Sequence, residues 1–233
     1  MSSSNKQYIY NPEVFDVSTI SDAMNIILTP QQTSTEERWE KETKYLIDDM
    51  DKFFAPDENS FILDYGCGIG RLSKEIVERY NCFVVGVDIS PSMRQLAKEY
   101  VNHKKFTTAT REDLLILIRQ GFRFDSCLSL WVLQHCLNVL EDINLIKRSL
   151  KAEGRFYVLN NINSAVPTNQ GWVNNGTDVF KLLLDHFNEI EHSRLPYAVS
   201  SKYISDWTYI SRMINNKQPE RKVFSLFNRS PVV

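Results

Sequence analysis

Leu63-Asp64-Tyr65-Gly66-Cys67-Gly68-Ile69-Gly70-Arg71-Leu72 decides how this chain is read: an apolar run ends in three glycines at alternate positions and passes straight into a helical pattern. The 233 residues contain only eight glycines, so three within five positions mark a backbone that needs conformations other residues resist. Ser60-Phe61-Ile62-Leu63-Asp64 reads as a strand, and Leu72, Ile76 and Tyr80, at i, i+4 and i+8, mark the helix after the turn. Such a crossing lets a ligand approach the backbone closely and offers it the unpaired N–H groups of a helix start. A nucleotide is the expected ligand.

Working outward, Cys82-Phe83-Val84-Val85-Gly86-Val87-Asp88 reads as a second strand, followed by Ser90 as a helix N-cap and Pro91 at the first helical position. Met93, Leu96, Ala97, Tyr100 and Val101 then line one buried helix face. Residues 104–108, 124–130 and 155–159 read as further strands, and residues 112–119 and the Val139, Ile143, Ile146, Leu150 series as the helices between them. This alternation predicts a parallel sheet covered by helices. Asp88, ending the second strand, would stand beside the glycine turn with a carboxylate for both hydroxyls of a ribose. A dinucleotide site wants G-x-G-x-x-G, whereas here the glycines fall as G-x-G-x-G with Asp64 two positions ahead. That carboxylate would repel a pyrophosphate and attract an ammonium or sulfonium ligand.

The flanks are read more coarsely. Trp39, Leu46, Met50 and Phe53 predict a long helix before the first strand, and residues 21–28 a short one. Residues 178–187 and 201–215 read as helices, 189–195 and 221–227 as strands, and 160–176, rich in Asn, Gly and Pro, as a functional loop. The expected organisation is a single domain over 1–233: an N-terminal helical lid or extension (1–57), a cofactor-binding core (58–160) and an acceptor-side region (161–233).

Charge is nearly balanced, 27 Lys+Arg against 29 Asp+Glu, so no basic excess recommends a nucleic-acid partner. With 42% hydrophobic and 24% charged residues the composition is that of a globular protein. Cys67, Cys82, Cys127 and Cys136 form no C-x-x-C pair and read as reduced thiols with no metal site. No signal core or membrane-length apolar run is present, so a cytoplasmic protein is expected.

These segments together resemble the class I S-adenosylmethionine-dependent methyltransferase family. Residues 63–70 resemble its motif I and Val84-Val85-Gly86-Val87-Asp88-Ile89-Ser90 its motif II. Phe124-Asp125-Ser126-Cys127-Leu128-Ser129-Leu130-Trp131-Val132-Leu133-Gln134-His135 resembles the fourth-strand motif, and Leu150-Lys151-Ala152-Glu153-Gly154-Arg155-Phe156 the entry to the fifth strand. The resemblance implies an α/β, Rossmann-like doubly wound sheet of seven strands, six parallel and the last antiparallel, with helices on both faces. It also implies S-adenosylmethionine as cofactor and S-adenosylhomocysteine as product.

Carried over by position, Asp64 would face the methionine amino group, and Gly66, Cys67 and Gly68 would pass beneath the cofactor. Asp88 would hold the ribose, with Ile89 and Met93 against the adenine. Thr110 stands where the family often has an acid for the adenine amino group, with Glu112 a possible substitute. Leu130 and Trp131 would line the pocket where the fourth strand ends. Arg38 and Trp39, on the N-terminal helix, would close over the cofactor, the indole face favouring the sulfonium. His135 is the candidate general base and His192 a distant second. The expected reaction is methyl transfer to a small-molecule or saccharide acceptor, O-methylation preferred. Protein N-terminal amine methylation, suggested by Asn160-Asn161 and Val223-Phe224-Ser225-Leu226-Phe227, stays open, as does an NAD-dependent Rossmann oxidoreductase. Expected partners are the small-molecule acceptor, with no nucleic acid and no membrane, in a monomer or homodimer.

Overall fold

A computed structural model of the chain describes residues 8–28 and 34–216. Two helices lead, α1 (Ile20–Ile27) and α2 (Thr35–Phe54), capped by the side chains of Thr19 and Ser34. Strands and helices then alternate: β1 (Phe61–Tyr65), α3 (Arg71–Tyr80), β2 (Phe83–Val87), α4 (Pro91–Val101), β3 (Phe106–Ala109), α5 (Arg111–Arg119), β4 (Phe124–Leu130), α6 (Val139–Ser149) and β5 (Leu150–Asn161). A small hairpin follows, β6 (Val166–Thr168) and β7 (Gly171–Val173), and then α7 (Val179–His186), β8 (Asn188–Ser193), α8 (Lys202–Asp206) and β9 (Thr208–Ile214).

Seven strands form one sheet in the order β3-β2-β1-β4-β5-β9-β8. β1 to β5 pair in parallel, while β9 runs antiparallel to both neighbours, β5 and β8. Strand alternation divides the core into two faces. Leu63 and Val158 meet α5, α6 and α7 through Leu114, Ile143 and Leu183. Ile62, Tyr157 and Leu159 meet α2 and α3 through Leu46, Met50, Leu72 and Ile76. β1 has β2 on one side and β4 on the other, so the turn after β1 opens where strand order reverses, the place where α/β sheets hold ligands.

Three expectations are corrected. Residues 201–215 are not one helix: α8 stops at Asp206 and Thr208–Ile214 becomes a strand. Thr208-Tyr209-Ile210-Ser211-Arg212-Met213 is buried on both faces between β5 and β8, so it lacks the alternation that identifies a half-exposed strand. The antiparallel strand of the sheet is therefore β9; the strand expected at 221–227 lies outside the described residues. Finally, residues 160–176 are not all loop. Asn160 and Asn161 complete β5, Gly154 lies within that strand, and the β6–β7 hairpin takes residues 166–173.

Candidate active site

The glycine turn is tied to the end of β2. The N–H groups of Gly66 and Cys67 donate to the Val87 carbonyl at 2.7 and 3.0 Å, and that of Gly68 donates to Asp88 Oδ2 at 2.8 Å. Asp88 Oδ1 accepts from the Ser90 N–H at 2.9 Å, so this one carboxylate joins the turn to the start of α4. Each oxygen keeps acceptor capacity for a further donor. Burial pushes the Asp88 carboxyl up, opposed by these N–H groups. Gly66 has φ +81°, and a Cβ on it would lie 2.2 Å from a Val132 methyl, so the turn closes directly on the segment after β4.

A cavity of about 1020 Å³ opens above the turn. At one end Asp64, 5% exposed, accepts a 2.6 Å hydrogen bond from Ser73 Oγ, and burial pushes its carboxyl up to about 7. Beside it lies a buried charge cluster of Arg38, Glu42 and Arg71, each at most 5% exposed. Glu42 Oε1 accepts from Arg38 Nε at 2.9 Å and from Ser200 Oγ at 3.1 Å. Arg71 Nη1 lies 4.0 Å from Glu42 Oε2, and neither atom has a hydrogen-bond partner. Burial lowers the Arg71 guanidinium to about 10. Two arginines against one glutamate leave a net positive charge out of water, facing the cavity beside a buried carboxylate. Buried charges without partners are costly, and a zwitterion satisfies both: its ammonium at Asp64, its carboxylate at Arg71. The donor set therefore fits the aminocarboxylate end of S-adenosylmethionine.

Of the residues predicted from sequence, Arg38, Asp64, Gly66, Cys67, Gly68, Asp88, Ile89, Met93, Thr110, Leu130, Trp131 and His135 all line this cavity. Thr110 does so as the N-cap of α5: its hydroxyl and N–H donate to Asp113 Oδ2 while Asp113 N–H donates back to Thr110 Oγ1. Trp131 takes φ +62° at the end of β4, and its indole N–H is buried without a protein partner. Trp39 is corrected: it is not on the cavity, and its ring instead carries the Arg71 guanidinium at 5.3 Å and meets Tyr100 edge-on. His192 is likewise elsewhere, on β8, against Phe180 and Tyr209.

His135 is on the cavity, yet both ring nitrogens are engaged. Nδ1 lies 2.6 Å from the Ala165 carbonyl, which fixes the proton there, and Nε2 then accepts from Gln134 Nε2 at 3.2 Å. Burial lowers its pKa, leaving the ring neutral. His135, the base candidate from sequence, thus lines the cavity with both ring nitrogens hydrogen-bonded. Its partner Gln134, 2% exposed, also accepts from the Asn161 N–H through Oε1, while its own N–H donates to Asn160 Oδ1.

Phe15 and Asp16 were not singled out in the sequence as site residues. Residues 9–11 pair with the β6–β7 hairpin through Tyr10–Thr168, Asn11 N–H to Pro167 O and Asn169 N–H to Ile9 O. The segment then crosses the cavity, placing Phe15 against His135 and Trp172, and anchors where Asp16 Oδ1 accepts from Ser90 Oγ at 2.6 Å. Only tertiary contact reveals this strap. Arg71 did leave a signal: a cation in the first turn of a helix opposes the helix dipole, a local conflict that marks function.

Comparison with known proteins agrees with this geometry. Residues 63–158 match the family model described as a methyltransferase domain. An N-demethylindolmycin N-methyltransferase of Streptomyces griseus is 31% identical over 102 residues, 42% of this chain and 43% of its own length. A ubiquinone biosynthesis O-methyltransferase of Bartonella tribocorum is 34% identical over 107 residues, 44% of this chain and 42% of its own length. The 18S rRNA (guanine-N(7))-methyltransferase of Schizosaccharomyces pombe is 33% identical over 156 residues, 63% of this chain and 51% of its own length. The chain thus spans about half the length of these curated relatives or less. Among solved structures, a Synechocystis magnesium protoporphyrin IX methyltransferase with bound S-adenosylhomocysteine superposes with TM-score 0.57 at 17% identity, covering 83% of this chain and 93% of that one. A [4+2]-cyclase superposes with TM-score 0.56 at 14% identity, covering 73% and 79%. The matched segment, β1 to β5, is thus similar to a methyltransferase domain, and the solved structures share the chain's fold. The relatives include both O- and N-methyltransferases. No described helix is long and apolar enough to cross a membrane.

Proposed function

We propose that this protein transfers the methyl group of S-adenosylmethionine to a small-molecule acceptor, at oxygen. The observation that carries the reading is the buried, opposed pair of Asp64 and Arg71 at one end of the cavity with the Asp88 carboxylate beside the glycine turn. Asp64 would take the methionyl ammonium, Arg71 its carboxylate, and Asp88 the ribose hydroxyls. Gly66, Cys67 and Gly68 would lie under the nucleoside, Ile89 and Met93 would flank the adenine, with Thr110 at its edge, and Leu130 and Trp131 would close the side at the end of β4. Arg38 acts through Glu42, holding the carboxylate that faces Arg71. A pyrophosphate would meet the Asp64 carboxylate instead, which disfavours a nicotinamide dinucleotide.

When bound, S-adenosylmethionine supplies an electrophilic methyl group: an acceptor lone pair bonds that carbon as the C–S electrons pass to sulfur, and the acceptor proton leaves to solvent. The chain's own contribution is then placement and exclusion of water. The strap and the wall formed by Gln134 and His135 hold the acceptor side in one geometry. A small acceptor accords with the names of two relatives and with the near-zero net charge.

Calorimetric titration with S-adenosylhomocysteine and NADH, followed by transfer of a labelled methyl group, tests the reading. Tight S-adenosylhomocysteine binding with none for NADH is expected. NADH binding in its place overturns it, and S-adenosylhomocysteine binding with no methyl transfer to any acceptor would align the chain with non-methylating users of this fold.

A further inference from the structure

We infer that Asp142, in the first turn of α6, accepts a hydrogen bond from the amino group of the adenine and so sets the base preference of the cofactor site. The inference rests on the methyltransferase reading above and adds to it a specificity residue from a helix that neither the glycine turn nor the end of β2 contains.

The turn after β3, where the resemblance in sequence expects an acid, holds Thr110 instead. Its hydroxyl donates to Asp113 Oδ2 at 2.8 Å and accepts from the Asp113 N–H at 3.1 Å, so the side chain is committed to capping α5. Besides Asp64 at the buried end, the acids that line the cavity among the described residues are Asp88, Glu112, Glu141 and Asp142. Asp88 is engaged by the Gly68 and Ser90 N–H groups and faces the ribose in the reading above. Glu112 is exposed on α5, and the Glu141 side chain, 65% exposed, pairs with Arg111 at 3.2 Å. Asp142 is the acid held out of water, with its side chain 15% exposed.

Two donors fix that carboxylate, and together they say where it stands. Oδ1 accepts from the Tyr65 hydroxyl at 2.6 Å and from Arg111 Nε at 3.3 Å. Tyr65 immediately precedes Gly66 in the glycine turn, and Arg111 immediately follows Thr110. A carboxylate bonded to both spans the gap between those two turns, the stretch that a base crosses once its ribose is at Asp88. Tyr10, on the strap, reports the same neighbourhood: burial first, then Cys136, Asp142 and Asp88 push its phenol up to about 12, so the two carboxylates share one side of the cavity. Burial and Asp142 likewise push the Tyr65 phenol up, which keeps it a donor. With both donors on Oδ1, the carboxylate retains acceptor capacity at Oδ2, even beside the Cys136 thiol. An amino N–H satisfies that capacity, whereas a carbonyl oxygen in its place would meet negative charge. Because Tyr65 and Arg111 already hold the side chain, little freedom is lost when the base arrives.

The test compares, by calorimetry on the full chain, S-adenosylhomocysteine with S-inosylhomocysteine, in which a carbonyl oxygen replaces the adenine amino group. Wild type should prefer the amino compound by about thirtyfold, the effect of losing one charged hydrogen bond. Asp142→Asn keeps the shape of the side chain, and its amide N–H can donate to the carbonyl, so the preference should fall to within about threefold or reverse. Glu112→Gln should leave the preference as in wild type. Each variant is its own reference, so a uniform loss of affinity from altered packing does not move the ratio. Tyr65→Phe loosens the carboxylate without touching its charge and should narrow the ratio about threefold; it decides the matter if Asp142→Asn does not fold. Equal binding of the two compounds by wild type, a preference undiminished in either variant, or one moved by Glu112→Gln overturns the inference. Failure of S-adenosylhomocysteine to bind at all would take the methyltransferase reading down with it, whereas binding with a base preference indifferent to Asp142 removes this inference alone.

Discussion

At the β1 end of the cavity Asp64, Arg71, Arg38 and Glu42 are charged and at most 5% exposed, whereas at the hairpin end the lining rings of Trp172 and Tyr203 are more than half exposed. The first end rests on two neighbouring strand–turn–helix units and α2. The second is assembled from the strap, the segment after β4, the hairpin and α8, pieces separated by up to about two hundred residues of sequence. Rigid secondary structure holds buried charge in place because a misplaced buried charge costs several kcal/mol. Ring contacts tolerate displacement, so an acceptor wall can be built on loops and vary without disturbing the sheet.

The contrast can be broken most severely at Asp88. Asp88→Ala should weaken S-adenosylhomocysteine binding by about a hundredfold, since charged hydrogen bonds are worth about 1.5–3 kcal/mol each and more than one is lost. Calorimetry showing unchanged affinity would separate Asp88 from the ribose. Next comes Arg71→Met, expected to cost about tenfold in the same affinity, one charged hydrogen bond, while the melting temperature holds or rises, because a buried guanidinium with an unpaired nitrogen is itself a burden on the fold. A lower melting temperature with intact affinity would make Arg71 structural.

The buried end should also respond to pH where the ring wall does not. With the Asp64 carboxyl raised to about 7, acidification protonates it in the unliganded protein, and an ammonium ligand then loses its counter-charge. Affinity should therefore fall from pH 7 to pH 5, by up to about tenfold per unit, and Asp64→Asn should flatten the profile. The sign for stability is opposite. Unfolded Asp64 ionises near 4, so its contribution to the unliganded fold is best below that pH and is lost as pH rises towards 7. A melting profile of wild type against Asp64→Asn across this window reads the difference. The smallest effect is expected at His135. His135→Phe keeps a ring in the wall, so kcat should change by less than about threefold; the 10² to 10⁴ loss typical of removing a general base would restore His135 to that role.

Legibility in the sequence followed the same division. Asp64, the glycines and Asp88 were readable because a close backbone approach and a ribose contact dictate residue types at short, local spacing. β9 was misread because a strand buried on both faces loses its alternation, and Tyr203, Ile204, Trp207, Ile210 and Ile214 fall at a helical period. Trp39 was assigned to the pocket for its ring alone, and only the packing shows that ring turned to Arg71. The two hydrogen bonds of His135 were invisible in the sequence, since neither Ala165 nor the amide orientation of Gln134 is implied by local sequence.

Sequence by itself determined the order of strands and helices through β5, the conformation of the turn at Gly66 and the charge of the ligand that turn would accept, because each follows from periodicity and from the chemistry of adjacent residues. Tertiary structure decided which cation lies beside Asp64, which rings line the cavity and which strand runs antiparallel. Those outcomes depend on contacts between segments far apart in the chain, between residue 10 and residue 168 or residue 64 and the cluster on α2. No local pattern encodes such contacts, because the free energy that selects them comes from burial and pairing within the completed fold.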